Sequence, residues 1–351
     1  MSLNIDGTNI TEITYNGVDL SQLIFNGTVV WEKVYTVDDS NRVWFACTDV
    51  ENSSSSSGHT HTLYRSENDG KTWTSVLTSD YFISVLAYNG SVLVASCYNY
   101  IYYSSDKGKT WNTVVSGNNL LIIYGKDKFI AGFRDWFSGK VYYRYSTNGS
   151  TWSSVQSITT WNGNIYFDDI LYANGIYVGI IKSVSSGTIH ILYSSTGTSW
   201  TDAGITSTSC GAVVKDGKFI IFQSNQASAL TSTDGKDWNT VQVTCSNGNW
   251  MRKHPYKMGD MYYVYSVSNN SVTVQKSLDL FNWEQIDVDS KIIKIVAVNE
   301  NSSYVLGIDS NNTVYRTTNF VNWVEHADYT KVPNSSNGID GIERIVPSIP
   351  V

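Results

Sequence analysis

The fold is decided by two copies of one short motif, Ser66-Glu-Asn-Asp-Gly-Lys-Thr-Trp73 and Ser104-Ser-Asp-Lys-Gly-Lys-Thr-Trp111. We call this motif the box. Its glycine supplies the positive φ of a tight turn, the Asp or Asn side chain bonds to backbone amides of the turn, and the tryptophan packs between sheets. In the second copy these positions are Asp106 and Gly108. The box therefore predicts a structural turn between two strands and not a reaction centre.

Five further copies of the box follow along the chain. Three are one residue shorter and run from Ser146 to Trp152, from Ser194 to Trp200 and from Ser232 to Trp238. Two lack the glycine, from Ser277 to Trp283 and from Thr317 to Trp323, so we expect a looser turn in these copies. The seven box tryptophans are separated by 38, 41, 48, 38, 45 and 40 residues. Seven units of this length predict the four-stranded blades of a β-propeller.

The residues around each box complete a four-stranded unit. An apolar pair of strands precedes the box and surrounds a hairpin dipeptide such as Asn89-Gly90, Asn174-Gly175 or Asp216-Gly217. A tyrosine-containing strand leads into the box, and a fourth strand leaves it. We predict an all-β protein with a seven-bladed propeller over residues 34–330 and a C-terminal tail over 331–351. Either residues 34–36 or the tail segment from Ile342 to Val346 completes the first blade.

Composition restricts the function classes. The chain has 351 residues, 41% hydrophobic and 16% charged, with a formal net charge of -7. We see no basic stripe for nucleic acid, and neither a signal peptide nor a membrane-spanning segment is indicated. The four cysteines show no metal-ligand or disulfide spacing, so we expect buried free thiols. The sequence predicts no metal site and no cofactor.

The boxes resemble those of the Asp-box, or bacterial-neuraminidase-repeat, propeller superfamily. The resemblance covers roughly residues 34–328 and implies the propeller fold. It leaves function open, because the superfamily includes sialidases, glucan hydrolases, sorting receptors and photosystem assembly factors. The Arg-Ile-Pro motif that precedes the first blade in sialidases is missing, which argues against sialidase activity.

The first 33 residues follow a different period. Asp6-Gly7, Asn16-Gly17 and Asn26-Gly27 recur every ten residues with apolar residues on both sides, which predicts short β-hairpins. So small a segment can hardly bury a core alone, which favours packing on a partner or on another copy. It resembles the N-terminal segments of phage tail and other virion structural proteins. This resemblance implies a virion location and attachment to other virion proteins through residues 1–33. The alternative is an extra sheet stacked on the propeller.

Blade topology predicts where a ligand binds. The boxes and the hairpin turns share one face of the propeller, which we call the box face, and the remaining loops form the opposite loop face. Aromatic and polar residues in these loops suit carbohydrate, because sugar C–H faces stack on aromatic rings and polar groups bind the hydroxyls. Each aromatic is as easily explained by plugging the top of the pore or by packing between blades. The candidate glycan-binding residues are Trp136, Trp161, Trp250, Arg134, Asp135, Asn162, Arg252, Tyr98 and Tyr100, with Tyr81 and Phe82 as an extension.

Catalysis needs paired carboxylates, and Asp168-Asp169 is the adjacent acidic pair near the loop face. Neighbours in a regular strand point to opposite sides of a sheet, so we expect no catalytic pair and a protein that is not an enzyme. We predict a phage virion receptor-binding protein that recognises a bacterial surface glycan, with oligomerisation left open. The alternatives are a glycoside hydrolase or lyase acting on such a glycan, and a decoration protein that binds no ligand.

Overall fold

The structure is a computed structural model of the 351-residue chain. It divides into two units, Met1–Asp38 and Asp39–Val351. The residues that the structure describes are 3–5, 8–10, 14–15, 18–19, 22–25, 28–32, 42–51, 54–55, 58–68, 71–81, 83–116, 119–134, 140–158, 165–209, 211–224, 227–244, 255–268, 271–298, 304–311, 313–326 and 345–350.

The first unit consists of three two-stranded antiparallel sheets. Each sheet pairs the two strands that flank one of the Asp/Asn-Gly dipeptides recognised in the sequence, as expected for hairpins. The six strands are β1 (Leu3–Ile5), β2 (Thr8–Ile10), β3 (Thr14–Tyr15), β4 (Val18–Asp19), β5 (Gln22–Phe25) and β6 (Thr28–Glu32).

The second unit is a seven-bladed β-propeller of four-stranded antiparallel sheets, as the box spacing predicts. No helix in the described ranges is long and apolar enough to span a membrane. The strands of blades 1 to 4 are β34 (Ile345–Pro350), β7 (Arg42–Glu51), β8 (His59–Ser66) and β9 (Thr74–Ser79); β10 (Ile83–Tyr88), β11 (Leu93–Cys97), β12 (Tyr100–Ser104) and β13 (Asn112–Ser116); β14 (Asn119–Gly125), β15 (Lys128–Arg134), β16 (Val141–Ser146) and β17 (Gln156–Ile158); and β18 (Ile165–Ala173), β19 (Ile176–Ser183), β20 (Thr188–Ser194) and β21 (Thr201–Thr208). Those of blades 5 to 7 are β22 (Gly211–Lys215), β23 (Lys218–Phe222), β24 (Ser228–Ser232) and β25 (Asn239–Gln242); β26 (Tyr256–Met258), β27 (Met261–Ser268), β28 (Ser271–Ser277) and β29 (Glu284–Ile286); and β30 (Lys294–Val298), β31 (Val305–Ile308), β32 (Val314–Thr317) and β33 (Val324–Glu325).

The C-terminal strand closes the ring. Ile345 pairs with Ala46 and Pro350 pairs with Arg42, so β34 becomes the first strand of blade 1. This is the second of the two closures that the sequence left open, and the described part of the tail strand runs from Ile345 to Pro350. The register shifts between Val346 and Ile349, around a proline that has no amide hydrogen to donate.

Each seam between neighbouring blades has its own hydrophobic core. Seven separate clusters of buried residues fill the seven seams in the described part of the chain. In the seam between blades 1 and 2, Phe45 of β7 meets Gly108 in the box of blade 2, where an added Cβ would lie 2.4 Å from the Phe45 Cζ. A small box residue and a large residue on the preceding blade therefore complement each other.

The box turns show the hydrogen bonds that their residues predict. In blade 2 the Ser104 hydroxyl accepts a hydrogen bond from the Gly108 amide at 2.8 Å and donates one to the Asp106 carboxylate at 2.7 Å. The Trp111 indole donates a hydrogen bond to the Gly108 carbonyl at 3.1 Å. Burial raises the pKa of Asp106, but hydrogen bonds led by those from Thr110 outweigh burial and lower the pKa to about 2. These residues hold the turn together by hydrogen bonds within the box.

The prediction of looser turns in blades 6 and 7 is wrong. Leu280 and Phe320 occupy the glycine position with φ of 73° and 62°. The Leu280 amide still donates to the Ser277 hydroxyl at 2.9 Å, and the Trp283 indole still donates to the Leu280 carbonyl at 2.9 Å. Both side chains are fully buried in the adjacent seam, so apolar burial offsets the strain of the left-handed backbone.

Contacts between blades verify the two faces. The Asn174 amide, in the hairpin turn of blade 4, donates to the carbonyls of Gly217 and Thr233 at 2.6 and 3.1 Å. Gly217 lies in the hairpin turn of blade 5 and Thr233 in its box, so hairpin turns and boxes share the box face. The opposite ends of the strands, with their connecting loops, form the loop face.

Candidate functional site

The loop face of blades 1 and 2 carries an aromatic group built from strand ends. Tyr81 follows β9 and Tyr98 follows β11, and their ring centroids lie 5.6 Å apart at an interplanar angle of 39°. Both side chains are half-buried. Two tilted rings at the rim of a seam offer a surface on which a sugar ring can stack.

Tyr100 has a more structural position. It packs against the hydrophobic cluster of the seam between blades 1 and 2, and its ring lies 5.9 Å from that of Tyr102. Burial raises the pKa of Tyr102, whose hydroxyl lies 3.9 Å from the thiol of Cys97. Cys47 and Cys97, the two cysteines that the structure describes, are buried thiols outside any disulfide, as expected.

Most of the predicted glycan-binding residues lie outside the described part of the chain. Arg134 ends strand β15 and thus marks the loop face of blade 3, with only its backbone described. Phe82 and the residues predicted in the neighbouring loops lie outside the described residues: Trp136, Trp161, Trp250, Asp135, Asn162 and Arg252. Tyr81, Tyr98 and Tyr100 are therefore the members whose surroundings the structure describes.

The two adjacent carboxylates depart from the expected alternation. The register of β18 with β19 shifts between Phe167 and Asp169, so Asp168 is the extra residue of a β-bulge. Phe167 and Ile170 both pack into the seam with blade 3, which leaves Asp168 and Asp169 on the other side of the strand together. The expectation that they point to opposite sides is wrong, because a bulge breaks the two-residue period. The Lys182 Nζ lies 3.5 Å from the Asp168 Oδ2 and forms an ion pair with it.

A part-buried arginine occupies the seam between blades 2 and 3. Arg144 of β16 stacks on Phe133, with its guanidinium carbon 5.2 Å from the ring centroid, and Tyr142 stacks on the same ring at 5.5 Å. The Arg144 Nε is buried and has no hydrogen-bond partner in the described ranges. Burial lowers the pKa of this guanidinium. Sequence reasoning missed this residue, although an arginine within the strand Val141-Tyr-Tyr-Arg144 was a visible signal.

The histidines and acidic residues do not assemble a metal centre in the part of the chain that is described. No group of three or more His, Cys, Asp or Glu side chains could hold an ion there. His59 and His61 stack with centroids 6.2 Å apart on β8, at the loop-face end of blade 1.

Comparison with known proteins identifies solved structures with a similar fold but no matching family. No family model and no curated protein matches the chain. Among solved structures, the chain is similar to YCF48 bound to a D1 peptide, with 13% identity, a TM-score of 0.50, and coverage of 72% of this chain and 83% of that one. It is also similar to a functionally unknown protein from Desulfotomaculum acetoxidans DSM 771, with 12% identity, a TM-score of 0.52, and coverage of 87% and 98%.

A third similar structure is the acylaminoacyl peptidase of Pyrococcus horikoshii, with 10% identity, a TM-score of 0.53 and coverage of 82% of this chain. The match spans about half of that peptidase, 51% of its chain. Identities this low establish the propeller fold alone. Membership of the Asp-box superfamily stays a prediction.

Proposed function

We propose that this chain is a receptor-binding protein of a phage particle, whose propeller recognises a bacterial surface glycan through its loop face. The observation that carries the proposal is that the first and last described residues of the propeller lie on the face opposite to the candidate loops. β7 begins at Arg42 and β34 ends at Pro350, both on the box face. The candidate loops leave the other ends of the strands. A head that is attached at one face and reads a surface with the other needs this arrangement.

The aromatic pair supports sugar as the ligand. Tyr81 and Tyr98 are half-buried at a seam rim, with ring centroids 5.6 Å apart. Stacking on such rings is selective for the apolar face of a sugar and needs no catalytic group. The three N-terminal hairpins support attachment, because two-stranded sheets are marginal alone and become stable on a partner. We assign that partner to the virion and the protein to the phage particle.

The test is a bacterial-glycan and whole-cell binding screen of the purified full chain. A variant combining Trp136→Ala, Trp161→Ala and Trp250→Ala, and a second carrying Tyr98→Ala, are compared with the control Tyr88→Ala. Tyr88 lies on the box face, where its hydroxyl donates to the Gly90 carbonyl. We expect saturable binding that both loop-face variants weaken and the control retains. Absence of binding to every surface would favour the decoration protein.

One observation favours a second candidate, a glycoside hydrolase or lyase. The bulge at Asp168 places two carboxylates on one side of the innermost strand of blade 4, and paired carboxylates are what glycoside hydrolysis requires. A product assay on every glycan that binds decides between the two. Product release that Asp168→Asn and Asp169→Asn each abolish, with Asp202→Asn on the outer strand β21 as control, would establish the enzyme.

A further inference from the structure

Blade 1 carries two histidines side by side at the loop-face end of its third strand. His59 and His61 lie on β8, and their ring centroids are 6.2 Å apart with an interplanar angle of 19°. His61 is buried and His59 is half-buried, so the pair reaches solvent through His59. Two imidazoles that bind one zinc ion through nitrogens at about 2.0–2.1 Å keep their ring centroids roughly 5–6 Å apart. The spacing of this pair therefore suits a shared transition-metal ion.

The neighbouring strand places an acidic residue opposite each histidine. Asp49 of β7 pairs with His61, and Glu51 pairs with His59. The register between the two strands runs without a shift, so the two-residue alternation of faces holds here, unlike in β18. Directly opposite residues of an antiparallel pair have Cβ atoms about 4.5–5.5 Å apart. The register thus brings two acidic positions and two histidines together on one face of the blade.

This face of blade 1 is the one that packs against blade 2. Cys47 of β7 and Leu63 of β8 pair with each other and belong to the core of the seam between these blades. The four positions continue the same face by two and four residues toward the loop face. Only the backbone of the two acidic residues is described. The described side chains of the set are therefore the two histidines, which by themselves make no group of three.

The four residue types match the chemistry of zinc. Imidazole nitrogen and carboxylate oxygen are both zinc ligands, and four ligands complete the tetrahedral shell of a structural site. Two carboxylates balance the charge of a divalent cation, and neutral imidazoles add none. Spacing along the chain does not reveal such a site, because its residues form two separate pairs, Asp49-Val-Glu51 and His59-Thr-His61, that only strand pairing joins.

We infer that the loop-face end of blade 1 binds a zinc ion through His59 and His61 of β8 and Asp49 and Glu51 of β7. The ion braces the base of the loop that connects these two strands. Ser55 in that loop donates from its hydroxyl to the His59 carbonyl at 2.5 Å, so the loop closes on the strand that carries the histidines. The site is independent of glycan recognition, because the receptor-binding proposal uses none of these residues.

The experiment titrates Zn²⁺ into the tag-free full chain, first stripped of metal with a chelator, and follows binding by calorimetry. Mg²⁺ is the matched ion, because it prefers oxygen ligands and keeps its water. We expect one Zn²⁺ bound per chain and no binding of Mg²⁺. His59→Ala should weaken zinc binding by more than the roughly 10- to 100-fold that loss of an outer-shell partner costs, because it removes a direct ligand. Asp49→Asn and Glu51→Gln should each weaken it too, because a neutral amide is a poorer ligand than a carboxylate.

His190→Ala is the matched control. His190 is half-buried on β20, the third strand of blade 4, but it pairs with Ile181 and Thr206, which are not ligands of structural zinc sites. This variant should bind zinc as the parent does. An equal loss of affinity in His190→Ala and His59→Ala would overturn the inference, and so would unchanged affinity in the two carboxylate variants.

Two measurements on the parent need no variant. Zinc should shift the ring-nitrogen NMR signals of His59 and His61, two of the five histidines of the chain. It should also raise the melting temperature, because an ion that binds only the folded state stabilises it, and a chelator should reverse the rise. Absence of zinc binding, an unchanged melting temperature, or shifts confined to other histidines would overturn the inference. Blade 1 would then have two cross-strand pairs of an acid and a histidine that hold its strands together without a metal.

Discussion

The left-handed leucine of blade 6 allows its strain to be measured directly. Leu280 has φ of 73° and is fully buried, whereas Leu306 of β31 is equally buried in a regular strand. Truncating either to alanine should cost about 2–5 kcal/mol of unfolding free energy, because each fills a seam core. The two sites should differ in what happens when alanine is replaced by glycine.

At Leu306, glycine should be less stable than alanine by about 1–2 kcal/mol. About 0.8 kcal/mol comes from the lost burial of the alanine methyl group, and about 0.5–1 kcal/mol from the greater backbone entropy that glycine has in the unfolded chain. At Leu280 the same losses apply, but removing Cβ relieves about 1–2 kcal/mol of left-handed strain. We therefore expect Leu280→Ala and Leu280→Gly to unfold within about 0.5 kcal/mol of each other.

The assay is urea unfolding of the four single variants beside the parent, followed by far-ultraviolet circular dichroism and tryptophan fluorescence. Equal m-values justify comparing midpoints as stabilities. The reasoning fails if glycine is penalised as much at position 280 as at position 306. It also fails if Leu280→Gly exceeds the parent in stability, because burial would then not offset the strain.

Three other predictions follow from the fold. Gly108→Ala should lower the melting temperature, because the added Cβ would lie 2.4 Å from the Phe45 Cζ on a backbone with a φ of 77°. Adding Phe45→Leu should recover part of that loss. If the losses of melting temperature of the two single variants simply add in the double variant, the clash is contradicted. The pKa values of Asp106 and Asp279 are lowered from 3.8 to about 2, so the stability they contribute is complete above about pH 4 and is lost as the pH falls toward 2. An Asp106→Asn/Asp279→Asn variant should therefore lose less stability than the parent over that window, and parallel pH curves would refute the linkage. Deleting residues 339–351 should sharply lower the melting temperature, since blade 1 then has no first strand, and an unchanged melting temperature would show that the ring closes without β34.

The blades could be predicted from sequence because the box is local. Ser104, Asp106, Gly108 and Trp111 contact each other within eight residues, so their spacing alone dictates the turn. The seven box tryptophans then count the blades. Substitution of the glycine misled the prediction for blades 6 and 7, because the compensation at Leu280 comes from a seam core that is remote in sequence.

The parts that sequence could not decide depend on distant pairings. The closure by Ile345–Pro350 joins strands from opposite ends of the propeller, so the sequence offered it only as one of two alternatives. The bulge at Asp168 is a property of the pairing between two strands and is invisible to a two-residue period. The candidate site is similar: Tyr81 and Tyr98 follow strands of different blades, and only the packing of blades 1 and 2 brings their rings within 5.6 Å.

The ring closure has a consequence for biosynthesis. About 290 residues lie between the end of β7 and the start of β34, so a ribosome adding 5–20 residues per second needs roughly 15–60 s to supply the missing strand. During that time the backbone donors and acceptors along one side of β7 form an open edge, which is a template for pairing with other nascent chains. Production of the intact protein should therefore depend on the density of ribosomes on its message and on chaperones that shield this edge.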